Sequence, residues 1–172
     1  MNNILSEIDN FTLEEFRELR DYCNRSIDKL KMDSNSTLII IKPASFAKQD
    51  HLKIMDELTK KYGYTLMSGK TMQITLEQAE MHYEEHRGKP WFEKITRQLS
   101  SGPLYVAVLG SEHIDTVSRI RKLIGATDPK EADPYTIRAR YGTCVDDNVI
   151  HASDSSESAH YEKQLWAGFM KE

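Results

Sequence analysis

Cysteine is scarce: Cys23 and Cys144 are the only two in 172 residues, far apart and outside any CxxC or Cys/His spacing. That excludes a disulfide framework and a cysteine-built metal centre, and it suits reduced thiols in a cytoplasmic protein. Long apolar runs are missing too, and none approaches the ~20 residues that a membrane-spanning helix needs. The first twenty residues carry Glu7, Asp9, Glu14 and Glu15 where a leader would be basic and then apolar, so no secretory signal is expected. There is no excess of positive charge: 23 Lys and Arg stand against 27 Asp and Glu, for a net charge of -4. A mildly acidic chain is a poor electrostatic match for a phosphate backbone, which argues against nucleic acid as the main partner. Neither GxxxxGK[ST] nor GxGxxG occurs, so any phosphate must be held by side chains and not by a glycine-rich backbone loop. No internal repeat and no low-complexity stretch breaks the chain.

What is present reads as one domain with an appendage. Residues 1–36 form a helical extension and residues 37–172 the body. In the extension, Thr12-Leu13-Glu14-Glu15 is a capping box, and Phe11 with Phe16 fits the apolar staple that fixes entry into a helix. Leu13, Phe16, Leu19, Cys23, Ile27 and Leu30 recur every three or four residues, giving a stripe that packs on the body or joins copies of the chain. Asp33-Ser34-Asn35-Ser36 is polar and reads as a junction. Thr37 to Lys42 is a near-continuous apolar run closed by Pro43, which predicts a central buried strand. A helix follows from His51 to Tyr62, stopped by Gly63. Strands are expected over 65–74 and 103–109. Thr75-Leu76-Glu77-Gln78 caps a helix carrying Tyr83 and Glu85, and Trp91 to Leu99 forms another. Ser111 caps a helix with Ile114, Val117, Ile120, Leu123 and Ile124 inward. No periodicity is visible from 125 to 147, and a stretch of that length carrying Thr127, Arg138, Arg140 and Tyr141 points to function. Val149 and Ile150 read as a short strand ending in His151, before a final helix from Ser155 to Trp166. The order of elements suggests one mixed sheet with helices on one face.

The chemistry gathers around His151, whose place at a strand end lets its ring enter a cleft while its backbone stays rigid. Lys42, Arg121 and Arg138 are the candidate phosphate holders, helped by Tyr83, Thr127 and Asn148, because ammonium, guanidinium and hydroxyl groups make directional hydrogen bonds to phosphate oxygens. An imidazole can itself accept a phosphoryl group when an acceptor fixes its second nitrogen. Glu162, eleven residues on, is the candidate for that.

Taken together, Asn148-x-x-His151-Ala152-Ser153-Asp154 resembles the active-site signature of the nucleoside diphosphate kinases. Ile41-Lys42-Pro43 resembles the family's opening strand, and His82-Tyr83-x-Glu85-His86 with Lys89-Pro90-Trp91-Phe92 its nucleotide-gripping arm. Ser101-Gly102-Pro103, Arg121-x-x-x-Gly125-Ala126-Thr127-Asp128-Pro129 and Thr136-Ile137-Arg138 follow in order, so the resemblance spans nearly all of residues 37 to 166. It implies an α/β (α+β) ferredoxin-like sandwich, a four-stranded antiparallel sheet covered by helices, assembled into homo-hexamers or tetramers. It also implies a ping-pong transfer of the γ-phosphate between nucleoside tri- and diphosphates, with His151 phosphorylated on Nδ1. Glu162 would orient that ring, with Ser153 behind it. Lys42, Tyr83, Arg138 and Asn148 would surround the phosphoryl group and sugar, and Arg121 and Thr127 the next phosphate. Trp91, where the family usually has Phe, and Val145 would stack on the base. Mg2+ would ride on the phosphates, steadied through water by Glu85 and Asp154.

The sequence departs from the family at Ala44-Ser45, where Asp-Gly is usual, and at Tyr135 and Ala139-Arg140, which flank Thr136-Ile137-Arg138 in place of Gly and Gly-Asp. Ser45 is expected to cap the next helix. Arg140 reverses a charge beside the phosphate clamp, which either tightens nucleotide binding or breaks an ion pair that positions Arg138. These departures motivate an alternative reading from another class, a catalytically weakened nucleotide-binding or interaction module of the same fold.

Overall fold

A computed structural model describes residues 12–113 and 115–171, with the backbone alone for 26–34. Contacts divide the chain between Met32 and Asp33. The first unit holds all but the last two residues of α1 (Leu13–Ser34). Its capping box is formed: Thr12 N–H donates to Glu15 Oε2 at 2.7 Å and Glu15 N–H to Thr12 Oγ1 at 3.3 Å. Phe11 and the side chains of Ile27 and Leu30 lie outside the described residues. The helix runs through Asp33 and Ser34, so the expected junction shrinks to Asn35.

In the second unit the apolar run becomes β1 (Ser36–Ile41), with every residue buried. After it come α2 (Pro43–Ala47), α3 (Asp50–Asp56) running into a π turn (Glu57–Lys61), and β2 (Thr65–Met72). Then α4 (Leu76–His82), α5 (Phe92–Leu99), β3 (Leu104–Gly110) and α6 (Thr116–Ile124) follow. The chain closes with α7 (Ile137–Tyr141), β4 (Ile150–Ala152) and α8 (Ser156–Phe169). The sheet is antiparallel throughout, in the order β2-β3-β1-β4, and not mixed as the element order suggested.

Helices cover both faces of that sheet, where the sequence suggested one. The cause is in β1. Side chains alternate across a strand, and here both alternating sets are apolar. Ile39 and Ile41 pack with Ile54, Leu58, Ile120 and Ile124, while Leu38 and Ile40 pack with Ala79, Phe92, Leu99 and Trp166. Each fully buried aliphatic side chain stabilises the fold by about 1.5–3 kcal/mol relative to exposure. His151 lies opposite Ile40, so its side chain falls on the face lined by α4 and α8.

Local details differ from the sequence reading for local reasons. Ser45 is no cap: it sits inside α2, fully buried, with Oγ lacking a partner. Ser111 does not begin α6 either; its hydroxyl meets Thr116 Oγ1 at 2.6 Å, and the helix starts at Thr116. Thr75 and Gln78 do form the expected capping box at the head of α4.

Candidate active site

The site is set by a turn that the sequence hid. Val149 is not in a strand. Its φ is 72°, in the left-handed region, and Ile150 N–H donates across it to Asn148 O at 2.8 Å. For a β-branched residue such a turn is strained by about 1–3 kcal/mol, and strain of this kind clusters at functional sites. The neighbouring contacts hold it in place. Val149 O accepts Lys42 N–H at 2.9 Å, and Asn148 uses both ends of its amide, accepting Lys42 Nζ at 2.6 Å and donating to Thr127 O at 3.2 Å. Lys42, Thr127 and Asn148, far apart in the chain, are thereby tied together next to His151.

On the other side of β4, Glu162 of α8 reaches back. Its two oxygens lie 3.1 and 3.0 Å from His151 Nε2, and Ser153 Oγ donates to Oε2 at 2.7 Å. A carboxylate offers only lone pairs, so Nε2 carries the ring proton and Nδ1 is the bare nitrogen. Arg138 donates to Gly125 O at 3.0 Å and to Ile150 O at 2.9 Å, fixing its guanidinium against the backbone of β4. Gly125 permits this approach: its φ is 91°, and a Cβ there would strike Thr136. Arg121 donates to Ala152 O at 3.2 Å.

These groups open into a cleft of about 450 Å3. Lys42, Tyr83, Glu85, Trp91, Arg121, Thr127, Arg138, Val145, Asn148, His151, Asp154 and Glu162 all line it, and Ser153 stands behind Glu162. Burial, and then the Arg138 guanidinium, bring Lys42 down to about 8, and burial with Arg121 brings Arg138 to about 10. Burial pushes the Tyr83 phenol up, so it stays protonated. The Ser158 hydroxyl on Asp154 lowers that carboxyl. Among the lining groups that are not exposed, the three cations Lys42, Arg121 and Arg138 stand against the single carboxylate of Glu162, itself bound by His151 and Ser153, which makes a cleft for anions.

Two departures turn away from this cleft. Tyr135 is 85% exposed, and Arg140 pairs with Glu57 of the π turn at 2.7 Å. The reversed charge is therefore matched on the far side of α7 and leaves Arg138 in place.

Lys94 and Asp146, which belong to none of the sequence motifs, and His82, expected only as part of the nucleotide-gripping arm, also line the cleft. His82 is buried, edge-on to the His151 ring at 4.6 Å between centroids. Burial, then His151 and Lys42, hold it well below the usual histidine range, so it is neutral. His82, His151 and Glu162 offer atoms within 4.8 Å of one another, a spacing open to a metal. Trp166 Nε1–H, however, donates to His82 Nδ1 at 3.2 Å. That places the remaining proton on Nε2, which makes His82 a donor and not a ligand.

Fold and site together define an α+β sandwich with a histidine-centred anion cleft. Comparison with known proteins gives the family. A sequence model described as nucleoside diphosphate kinase matches residues 35–170. The nucleoside diphosphate kinase of Staphylococcus epidermidis is 43% identical over 130 residues, covering 76% of this chain and 85% of that protein. The Pyrococcus furiosus enzyme is 44% identical over 133 residues, covering 76% and 81%. A crystal structure of the Aquifex aeolicus nucleoside diphosphate kinase superposes with a TM-score of 0.73 at 41% identity, covering 77% of this chain and 94% of that one. The chain belongs to the nucleoside diphosphate kinase family. It is an enzyme of nucleotide phosphotransfer, and the weakened binding module is not favoured.

Proposed function

We propose that the protein moves the γ-phosphate of a nucleoside triphosphate to a different nucleoside diphosphate through a phosphohistidine at His151. The observation that carries this is the Glu162 carboxylate on Nε2, which leaves Nδ1 as the attacking nitrogen. The Nδ1 lone pair forms the N–P bond as the bond from phosphorus to the bridging oxygen breaks, and the diphosphate departs with that electron pair. A second diphosphate reverses the step. Glu162 balances the charge that the ring gains, and Ser153 holds Glu162. Lys42, Tyr83, Arg138 and Asn148 surround the transferred group and the sugar, while Arg121 and Thr127 hold the adjacent phosphate. Such positioning and charge neutralisation are what phosphoryl transfer chiefly needs. Trp91 and Val145, each about half exposed at the mouth, take the two faces of the base.

For the metal, Glu85 and Asp154 on the cleft wall are oxygen donors of the kind that hold a hard cation through water. They suit Mg2+, which when bound with the nucleotide neutralises phosphate charge. Self-association is supported by β2, an edge strand exposed along almost its whole length, with Leu66 and Met67 bare at its start. A homo-oligomer, tetramer or hexamer, is the proposed assembly, with the stripe of α1 as a further contact between copies. Among the described residues no helix is long and apolar enough to cross a membrane. Two free, exposed cysteines agree with a reducing cytoplasm.

The test is to mix the protein with ATP and magnesium, remove nucleotide, and look for acid-labile, base-stable phosphate on His151. Adding GDP should discharge it as GTP. Nucleotide binding without any covalent phosphate would reject the mechanism.

The charge on Lys42 gives a second expected outcome. Lysine holds phosphate only while protonated, and burial brings its loss of charge down to about pH 8 in the free protein. Hence kcat/KM, which reports the free enzyme, falls as pH rises through about 8. Bound phosphates stabilise the ammonium, so the break in kcat lies higher. A kcat/KM profile that stays flat well above pH 8 would remove Lys42 from this role.

A further inference from the structure

The mouth of the cleft carries an ion pair that the phosphoryl chemistry does not use. Lys94 of α5 and Asp146, in the loop between α7 and β4, both line the cleft, with Nζ 2.6 Å from Oδ2. Lys94 stands three residues after Trp91, and Asp146 directly follows Val145. The neighbouring Asp147 is engaged elsewhere, by Lys48 at 3.2 Å and Thr143 Oγ1 at 3.1 Å. Of the two adjacent acids, only Asp146 meets Lys94.

Position matters more here than strength, since an exposed ion pair adds little to stability. With Trp91 and Val145 taken as the two walls of the base site, Lys94 belongs to the chain segment of the one and Asp146 to that of the other. A contact running from one wall to the other crosses the plane midway between them. A flat ring held between Trp91 and Val145 occupies that plane, so the pair meets the ring at its edge. Stacking alone reads no edge, so telling bases apart needs polar groups at that edge, and this pair supplies them.

We propose that Lys94 and Asp146 read the edge of the base and favour guanine over adenine nucleotides. The proposal rests on the reading of Trp91 and Val145 as the walls of the base site. Guanine presents the acceptor O6 beside two parallel donors, N1–H and N2–H. The Lys94 ammonium suits O6, and the Asp146 carboxylate accepts both donors. Adenine has a lone pair at N1, which repels the carboxylate, and an amino group where Lys94 needs an acceptor. Direct contacts of this kind to a base edge separate bases by about tenfold or more.

The experiment charges the protein on His151 and measures its discharge by GDP, ADP, CDP and UDP, as kcat/KM for each. Wild-type protein should favour GDP over ADP by about tenfold. Asp146→Asn and Lys94→Ala should bring that ratio near one by losing rate with GDP, while ADP changes by less than about twofold. Trp91→Ala should slow all four acceptors alike. If Trp91→Ala has that effect but Asp146→Asn slows GDP and ADP equally, the edge reading is overturned and the base site stands. If Trp91→Ala changes none of the four, the base lies elsewhere and both readings fail.

Discussion

The His151→Ala protein will hold no covalent phosphate and will exchange phosphoryl groups at least about 10^4-fold more slowly than wild type, the scale on which loss of a nucleophile is felt. The reason is geometric. Lys42, Arg121 and Arg138 are all tied to the backbone in or beside β4, and His151 is the strand's middle residue. Alanine removes the nitrogen but keeps the backbone ladder, since His151 pairs with Ile40 through main-chain atoms alone. The anion-holding residues also stay in place, because Lys42 is fixed by Asn148, and Arg138 by Gly125 and Ile150. Nucleotide binding and thermal stability are therefore expected to survive. Exchange retained in this variant, measured as GTP formed from ATP and GDP, would place the phosphoryl acceptor elsewhere.

Glu162→Gln should lower the rate of phosphoenzyme formation by about 10^2 to 10^4 with little change in fold, the upper figure being the cost of a wrong histidine tautomer in a related arrangement. Glutamine keeps the volume but not the charge, and one of its two terminal atoms becomes a donor. With Ser153 donating to one oxygen and His151 bonded to both, a donor placed here competes with the Nε2 proton. The ring then carries its proton on Nδ1, where the lone pair has to be. Stopped-flow phosphorylation at saturating ATP reads this directly. A rate for Glu162→Gln within a few-fold of wild type would show that Glu162 only packs against the ring.

Much of this protein was decided by short stretches of sequence, because the forces involved act over a few residues. Thr75 and Gln78 satisfy each other's backbone three residues apart, and the apolar run before Pro43 has no stable place except inside a sheet. The signature around His151, together with the lysine, arginines and tyrosine at their spacings, named the family and the contents of the cleft. Tertiary structure alone decided the rest, since it depends on partners distant in the chain. Two-sided burial of β1 was settled by which helices came to lie on each face. Val149 takes a left-handed turn against its own β preference because Lys42 and Asn148 hold its two sides. The charge of Arg140 is met by Glu57 across 83 residues, the tautomer of His82 is set by Trp166 across 84, and Lys94 finds Asp146 across 52. Local propensity cannot bring such pairs together; only the closed fold, by setting distant segments side by side, gives each its partner and its place.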